Sequence, residues 1–500
     1  MSRVRVIARR LTVNINGFKV PSKTFCTDAT ANASSCYCCK SIDEKEWELN
    51  FANDAKLHDI AIVGGGMVGM ALACSLATMP LTKHLNVAIV DSNPALERTD
   101  CIKSDGMPAS RVITVTPAAI SFFKDMGVWE YVQQHRHAFF NKMQVWDYTG
   151  LGFTKYNARD ADKDILGCVV ENRVLHGSLL SRVQETDFQK TIYSSNLTSL
   201  TSASTSGNGH PVKLGLSDGS SLSAKLVVGA DGAKSQVQQI AGFKTTGWKY
   251  PQSAITCTVE HPDENRCAWQ RFLPAGPIAL LPVGDNFSNI VWTTSPEEAL
   301  RLKSSEDDEF VEAVNHALDH GYGSYPRSGI LGNGGLLSSL LGDVGMRLSA
   351  DECFEVPPRV VGLVGERVAF PLSLMHANEY ALKRIVLVGD AAHTVHPLAG
   401  QGVNLGFGDA LSLSKVIANG VALGSDIGEL SLLKKYESER KAANATMMAI
   451  LDGFQKAYSV DFGPLNLVRA AAFHGANHIR PLKRSIISFA SGDQRFPFFA

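Results

Sequence analysis

The sequence HDIAIVGGGMVG, residues 58–69, joins a β-branched run to a glycine-rich turn, and MALACSLA at 70–77 continues it with helical composition. This order predicts a strand, a tight turn and a helix. Gly64 permits the turn, Gly66 lets the backbone approach a pyrophosphate, and Gly69 lets the helix pack on the strand. The phosphate charge then faces the helix N-terminus. The stretch therefore predicts a dinucleotide site at the start of an α/β fold.

A second short strand supports this interpretation. Residues 86–90, NVAIV, end at Asp91, about 22 residues after Gly69, and an acidic residue at about this distance binds the adenosine ribose hydroxyls in such folds. Its carboxylate would repel a 2′-phosphate, so a nucleotide without that phosphate is expected. A lone glycine turn has an ordinary structural explanation, but the strand, the helix and Asp91 together favour the dinucleotide.

Another glycine-rich segment lies far downstream. The buried-strand run RIVLV, residues 384–388, is followed by Gly389, which closes a turn, and by Asp390, which is placed to bond ribityl hydroxyls. The small residues of 396–406, HPLAGQGVNLG, predict a loop that leads into a helix near Gly408 and lays backbone N–H groups against a reduced flavin. Asp390 alone would also fit a helix-capping turn. The two glycine-rich segments together describe one flavin adenine dinucleotide (FAD), whose length requires several stretches of chain.

Three motifs in series resemble those of a known family. They are residues 64–69, the stretch VGADGAKS at 228–235, and the segment 389–393 with Pro397 and Gly402. In this order they are similar to the fingerprints of the class A flavoprotein monooxygenases, the aromatic ring hydroxylases related to para-hydroxybenzoate hydroxylase.

Within this family the chain most resembles the ubiquinone-biosynthesis hydroxylases, and among them the mitochondrial ring-C5 monooxygenases. This closer resemblance rests on VENR at 170–173, WKYPQSA at 248–254 and WQRFLPAGPIALLP at 269–282. It covers residues 58–490.

The resemblance implies an α/β fold in which a Rossmann-like FAD/NAD(P)-binding lobe is interleaved with an antiparallel β-sheet substrate lobe, followed by a helical C-terminus. The expected boundaries are a leader at 1–50, a FAD-binding lobe at 58–245 and 371–430, a substrate-binding sheet at 246–370, and C-terminal helices at 431–500. Arg111 matches a family arginine near the flavin, and a surface salt bridge is its alternative. The expected cofactor-binding residues are Gly64, Gly66, Gly69, Asp91, Arg111, Arg173, Asp231, Gly232, Gly389, Asp390, Pro397, Gly400, Gly402, Asn404 and Leu405.

The resemblance also implies the chemistry. In this family reduced flavin and O2 give a C4a-hydroperoxide whose terminal oxygen attacks an electron-rich phenol, so no catalytic side chain is expected. The expected reaction is hydroxylation of a polyprenylated 4-hydroxybenzoate at ring carbon 5, in ubiquinone biosynthesis. Arg271 is a candidate for orienting the carboxylate or phenol oxygen, with a structural salt bridge as the alternative.

One position departs from the family pattern. The family usually has an arginine three residues after the serine of its middle motif, where this chain has Gln238. The loss of that charge weakens the case for direct use of NADPH. The expected electron donor is therefore a ferredoxin with its reductase, and NADPH is the alternative.

The first 50 residues differ in kind. Six basic residues precede the first acidic residue, Asp28, namely Arg3, Arg5, Arg9, Arg10, Lys19 and Lys23. This predicts a mitochondrial transit peptide, with a disordered basic tail as the alternative. Cys36, Cys38 and Cys39 lack a second ligand pair at zinc-like spacing, so no metal site is predicted.

Composition limits the partners. A net charge of −1 gives no global field to attract nucleic acid, and no run of about 18 apolar residues predicts a membrane span. Residues 464–487 mix apolar and basic residues without acids, which predicts a peripheral membrane contact; a helix packed on the FAD lobe is the alternative. The resemblance implies the matrix side of the mitochondrial inner membrane and a multi-protein ubiquinone-biosynthesis complex.

Two other classes of function fit the same fold. One is a non-enzymatic prenyl carrier, as in the GDP-dissociation inhibitors, which keep the first glycine turn but bind no flavin; the Asp390 segment argues against it. The other is a flavin-dependent prenyl-chain reductase, which would not incorporate labelled oxygen into its product. A halogenase would need a Trp-x-Trp-x-Ile-Pro segment, which the sequence lacks.

Overall fold

The computed structural model describes residues 56–96, 106–201, 210–326 and 354–492. The expected transit peptide and the three leader cysteines lie outside these ranges and stay predictions. The strands are Lys56–Val63 (β1), Val87–Val90 (β2), Val112–Val115 (β3), His137–Phe140 (β4), Lys142–Asp147 (β5), Phe153–Asn157 (β6), Gly167–Glu171 (β7), Lys190–Tyr193 (β8), Leu197–Thr201 (β9), Val212–Leu216 (β10), Ser221–Gly229 (β11), Thr245–Glu260 (β12), Cys267–Leu273 (β13), Gly276–Gly284 (β14), Phe287–Thr294 (β15), Gly362–Ala377 (β16), Ala381–Leu382 (β17), Ile385–Leu387 (β18) and His393–Thr394 (β19). The helices are Met67–Thr78 (α1), Pro117–Asp125 (α2), Trp129–Gln133 (α3), Asn172–Glu185 (α4), Gln236–Ile240 (α5), Pro296–Ser304 (α6), Asp307–Leu318 (α7), Gln401–Ala422 (α8), Leu430–Tyr458 (α9), Gly463–His478 (α10) and Arg480–Ala490 (α11).

Parallel strands form the centre of the first sheet. They run in the order β18-β11-β1-β2-β8, and β17, β10 and β9 extend the sheet by antiparallel pairing. Ile60, Ile62 and Ile89 are buried, as expected of strands that helices cover on both faces. Helix α1 follows β1 directly and packs against α4 and α8. This is the Rossmann-like lobe that the sequence predicts.

The second sheet has the strand order β19-β16-β12-β15-β14-β13-β5-β6 and is antiparallel except where β13 pairs with β5. Its side chains alternate between two faces. The outer face carries Trp146, Ile255 and Trp269, which pack in one core cluster with Leu302 of α6 and Phe310 of α7.

The inner face of the second sheet turns toward the other lobe. Val145 and Phe272 share a core cluster with Leu398 and Leu405. The latter two belong to the downstream glycine-rich segment. The inner face is therefore one wall of the space beside the predicted flavin segment.

The two lobes exchange strands at more points along the chain than the expected boundaries allow. Strands β5 and β6 fall within 58–245 but belong to the second sheet, and β16 continues across residue 370. Pairing of β5 with β13 places Met143 and Val145 on the apolar inner face, and this long-range pairing leaves no local signal. A third, three-stranded sheet has the order β3-β7-β4.

Helix α8 corrects one prediction. It begins at Gln401, so the expected loop as far as Gly406, with a helix starting near Gly408, is wrong. A Cβ on Gly406 would lie 2.6 Å from the side chain of Val68. These glycines allow a helix to pack closely rather than marking a loop.

Among the described helices, none is long and apolar enough to cross a membrane.

Candidate functional site

Four strand ends meet at one edge of the first sheet. Because β18, β11, β1 and β2 are adjacent and parallel, their carboxyl ends lie side by side. Ligands of open α/β sheets bind in a crevice at this edge. The strands end at Leu387, Gly229, Val63 and Val90, and the predicted motifs at Gly389, Asp231, Gly64 and Asp91 follow them.

The first glycine turn meets three separate requirements. Gly64 has a φ of +109°, and a Cβ there would lie 2.3 Å from the carbonyl oxygen of Ala230. A Cβ on Gly69 would lie 2.0 Å from the carbonyl oxygen of Gly64. Gly66 is extended (φ −71°, ψ −177°), and a Cβ there would meet no protein atom within 4 Å. The protein itself does not need glycine at Gly66, and the open space before it suits a pyrophosphate.

Asp91 is fixed beside this turn. Its Oδ2 accepts a hydrogen bond from the Gly65 amide at 2.6 Å, and its Oδ1 accepts one from the Asn93 amide at 2.8 Å. A carboxylate has about four acceptor positions. These two bonds therefore hold the group in place and leave capacity for ribose hydroxyls, and ribose binding stays a prediction.

Asp390 lies at the same crevice, in the short turn Gly389–Ala391. Its side chain is exposed, and its carboxylate has no hydrogen-bond partner among the described residues. Desolvation by the surrounding protein raises the pKa of the Asp390 carboxyl; His393 opposes this effect and Asp409 adds to it. An unpartnered carboxylate here fits the predicted bond to the ribityl hydroxyls.

A buried charged network supports this turn. Asp409 of α8 accepts hydrogen bonds from the Gly389 amide at 3.0 Å, the His393 ring at 2.6 Å, the Arg440 guanidinium at 2.9 Å and the Asn444 amide at 3.0 Å. Burial alone raises the pKa of Asp409, but His393 and Arg440 outweigh it and lower the pKa to about 2. The network fixes Gly389 and, through it, Asp390. This network was not predicted from the sequence. The one signal for it is Asp409, a single acidic residue inside an otherwise largely apolar helix.

The middle motif joins the other two. Asp231 accepts hydrogen bonds from the Ser235 hydroxyl at 2.6 Å and from the first amides of α5, so it holds that helix start. Gly232 has a φ of +81° and faces open space. Gln238 donates from Nε2 to the carbonyl oxygen of Ala391 at 2.7 Å. The position where the family has arginine therefore ties the middle motif to the Asp390 turn.

The start of α8 is anchored on two sides. Gly400 has a φ of +61°, and a Cβ there would lie 3.1 Å from the Thr114 side chain. Asn404 donates to the Thr114 carbonyl at 2.7 Å, and Leu405 packs in the inner-face cluster. Pro397 precedes this turn and Gly402 lies in the first turn of the helix. The first amides of α8 have no partner within the helix, which suits the predicted contact with flavin negative charge.

The two predicted arginines differ. Arg111 is exposed and its guanidinium has no partner among the described residues. Arg173 donates to buried Glu171 at 2.6 Å and to the Met107 carbonyl at 2.9 Å. Glu171 also accepts from the Ala109 amide at 3.1 Å. In this arrangement Arg173 positions the segment that leads to Arg111, and contact of either arginine with FAD stays a prediction.

Arg271 lies on the outer face of the second sheet, because its neighbour Phe272 lies on the inner face. Its buried guanidinium donates to the carbonyl oxygens of Ala317, Asp319 and Gly323. Burial lowers the pKa of Arg271. These contacts favour the structural alternative over the substrate-orienting role.

In the part of the chain that the structure describes, no group of three or more His, Cys, Asp or Glu side chains is arranged to hold a metal ion. The open space at Gly66 and the unpartnered Asp390 carboxylate at the same sheet edge fit a long dinucleotide cofactor such as FAD.

Comparison with known proteins agrees with this geometry. The family described as FAD binding domain matches residues 58–324 and 356–450. The mitochondrial ubiquinone biosynthesis monooxygenase COQ6 of Danio rerio is 36% identical over 458 residues, which cover 88% of this chain and 90% of that protein. The protein of the same name from Homo sapiens is 34% identical over 449 residues, covering 88% and 94% respectively.

A solved structure shows the same fold. The p-nitrophenol 4-monooxygenase PnpA from Pseudomonas putida DLL-E4 is similar with a TM-score of 0.64 at 15% identity, over 88% of this chain and 99% of that one. The chain is a flavin-dependent monooxygenase of the FAD-binding class and belongs to the family of the COQ6 ubiquinone biosynthesis monooxygenases.

Proposed function

We propose that this protein hydroxylates the aromatic ring of a polyprenylated 4-hydroxybenzoate at carbon 5 in ubiquinone biosynthesis. The observation that carries the proposal is that Phe272, on the inner face, and Leu405, in the flavin segment, belong to one buried apolar cluster. A substrate bound on that face would lie beside the flavin ring. Bound FAD supplies the activation of O2, and the protein orients the phenol and excludes water.

The character of the wall suits such a substrate. Val145, Ala254 and Phe272 give the inner face an apolar surface. The Phe272 ring stacks on Tyr458 of α9 with ring centroids 3.8 Å apart. An apolar wall closed by aromatic rings favours a phenol with an apolar tail and keeps water away.

Oxygen labelling tests the proposal. The purified protein, supplied with a reductant, labelled O2 and 3-geranyl-4-hydroxybenzoate as a short-tailed substrate, should form a product with one labelled oxygen on the ring. Loss of a prenyl double bond without labelled oxygen would indicate a reductase instead. A colourless protein that binds the geranyl compound unchanged would indicate a carrier.

For the electron donor we propose a ferredoxin with its reductase. The support is Gln238, whose neutral amide is engaged with Ala391 where the family has an arginine. Anaerobic bleaching of the flavin should be slow with NADPH alone and faster with NADPH, reductase and ferredoxin together. Rapid bleaching by NADPH alone, stimulated by substrate, would contradict this.

We also propose a peripheral position on the matrix face of the mitochondrial inner membrane, within a multi-protein ubiquinone-biosynthesis complex. The relatives are named mitochondrial. Two of the three basic residues of α11 pair within the protein, Lys483 with Asp160 at 2.9 Å and Arg484 with Asp162 at 2.6 Å. This fits the packed-helix alternative for α11.

The first part of the predicted stretch 464–487, together with the residues just before it, remains for the membrane. The corner between α9 and α10 exposes five large apolar side chains, those of Phe454, Val460, Phe462, Leu467 and Val468. Exposed apolar clusters of this kind mark interaction surfaces. We assign the membrane contact to this α9–α10 corner.

A further inference from the structure

One amide on the inner face has no partner. Gln270 lies in the middle of β13, paired with Val145 of β5 and Ala279 of β14. It is only 7% exposed, and its side chain makes no hydrogen bond with a residue that the structure describes.

Several other polar side chains of this face are satisfied, although the Thr154 hydroxyl is not. Gln252 donates to the Ala275 carbonyl at 2.6 Å and accepts from Gln455 at 3.1 Å. Thr256 and Asn289 both donate to the Ser110 carbonyl, at 3.1 and 3.0 Å. These satisfied neighbours are buried as Gln270 is, but each of them has a hydrogen-bond partner and Gln270 has none among the described residues.

Neither polar atom of the Gln270 amide is among the fully buried side-chain atoms that lack a partner, so this mostly buried amide opens onto the space beside the inner face. Its flanking side chains, Val145 and Ala279, are apolar and offer no bond. The face that it shares with Phe272 meets the flavin segment at Leu405. A ligand bound between the inner face and the flavin segment would therefore be the hydrogen-bond partner of the Gln270 amide.

We propose that Gln270 orients the substrate by donating from its side-chain amide to the carboxylate of the aromatic head group, an inference that rests on the proposed function. The inner-face positions of β5, β13, β14 and β15 hold no lysine or arginine, and Arg271 points to the other face. The side chains of these strands therefore offer an anionic group only neutral donors; the nearest buried guanidinium described beside them is that of Arg469, which lies over the Tyr458 ring that stacks on Phe272. An amide NH2 offers two neutral donors.

Gln144 provides a matched control. It lies on the neighbouring strand β5 and is also buried, at 1% exposure, but it faces outward. Its amide donates to the Glu355 carbonyl at 2.7 Å and its oxygen accepts from the Glu355 amide at 3.0 Å. Gln144→Leu removes satisfied bonds, whereas Gln270→Leu removes an unpaired amide.

The experiment measures dissociation constants from the change in flavin absorption of the FAD-loaded full chain. The ligands are 3-geranyl-4-hydroxybenzoate and 2-geranylphenol, which lacks the carboxylate. Gln270→Leu should weaken binding of the acid by about ten- to a hundred-fold and change binding of the phenol by less than about threefold. Gln270→Glu should weaken the acid further by charge repulsion. Gln270→Leu should keep the thermal stability of wild type. Gln144→Leu should lose thermal stability but bind both ligands with wild-type affinity.

Two outcomes would overturn the inference. Wild-type affinity for the acid in Gln270→Leu would mean that the amide does not face the ligand. Equal weakening for both ligands would mean that Gln270 shapes the pocket without binding the carboxylate. Failure of the wild-type protein to bind either ligand would count against the proposed function itself and is distinguishable from both.

Discussion

Gln238 donates a hydrogen bond to the carbonyl oxygen of Ala391 across 2.7 Å, joining residues 153 positions apart in the chain. The bond links the middle motif to the turn that presents Asp390. From the sequence, Gln238 is a missing positive charge. In the fold its hydrogen bond also fixes the turn that carries Asp390, the predicted flavin contact.

We expect Asp390→Ala to weaken FAD binding by about ten- to a hundred-fold, because charge-assisted hydrogen bonds are worth about 1.5–3 kcal/mol each. The fold should persist, since the carboxylate has no partner among the described residues. Quenching of flavin fluorescence gives the dissociation constant. Asp390→Asn keeps the shape but not the charge, so its affinity for FAD should lie between those of wild type and Asp390→Ala. Stoichiometric flavin after extensive dialysis, with an unchanged constant, would show that the downstream segment does not bind FAD.

Gly66→Val and Gly69→Val should fail for different reasons. A Cβ at Gly66 meets no protein atom within 4 Å, so Gly66→Val should fold but emerge colourless, because the branched side chain would fill the predicted pyrophosphate position. At Gly69 the Cβ would lie 2.0 Å from a backbone oxygen, so that variant should lose folded protein. Circular dichroism and flavin content measured together separate the two. A yellow Gly66→Val protein would place the pyrophosphate elsewhere.

The sequence predicts the FAD lobe well because its signals are local. The strand before Gly64, the helix after Gly69 and the acid at Asp91 each follow from neighbouring residues, and the structure places them as expected. Position 406 shows that local signals can mislead. Gly406 suggests a loop, but only contact with Val68 from a distant helix explains a glycine there.

The candidate site has the same limit. Arg271 and Gln270 are adjacent, and choosing between them requires knowing which face of β13 meets the flavin segment. That face is set by pairing with β5, more than 100 residues earlier in sequence. Likewise, Asp409 is recognisable as a network centre only once Arg440 is seen against it.

Arg271→Met should damage stability rather than substrate binding. It would leave three carbonyl oxygens without their charged donor, which should reduce the free energy of unfolding by about 3 kcal/mol or more. Denaturant titration measures this loss, and kinetics on the remaining folded enzyme should show a KM within about twofold of wild type. Normal stability with a strongly raised KM would restore the substrate-orienting role.

Charges placed on the α9–α10 corner should reduce membrane binding. Leu467 and Val468 are 61% and 62% exposed, so Leu467→Asp with Val468→Asp should leave the fold intact while lowering partition into anionic vesicles about tenfold or more. Leu423→Asp is the control, because Leu423 is 74% exposed on a different helix end. Equal loss of vesicle binding in both proteins, measured by sedimentation, would mean that the corner is not the contact.

His396 should make stability depend on pH. Its ring is 1% exposed, and neither ring nitrogen has a hydrogen-bond partner among the described residues. It lies edge-to-face on Tyr250 with ring centroids 5.3 Å apart, and Tyr250 donates to Asp452 at 2.9 Å. Burial lowers the pKa of His396 from 6.5 to about 4, although Asp452 opposes this.

The sign of the effect follows from proton binding. Between pH 6.5 and about 4 the unfolded chain binds a proton at His396 that the folded chain excludes, so stability is complete above pH 6.5 and falls as the pH drops. The shift corresponds to about 3 kcal/mol across this window. Burial also lowers the pKa of His58, His261 and His376. The contribution of His396 is therefore isolated only by comparing the unfolding free energies of wild type and His396→Leu. From pH 7 through 6 to 5, the unfolding free energy of wild type minus that of His396→Leu should therefore decrease, and parallel profiles would show that His396 does not exclude a proton.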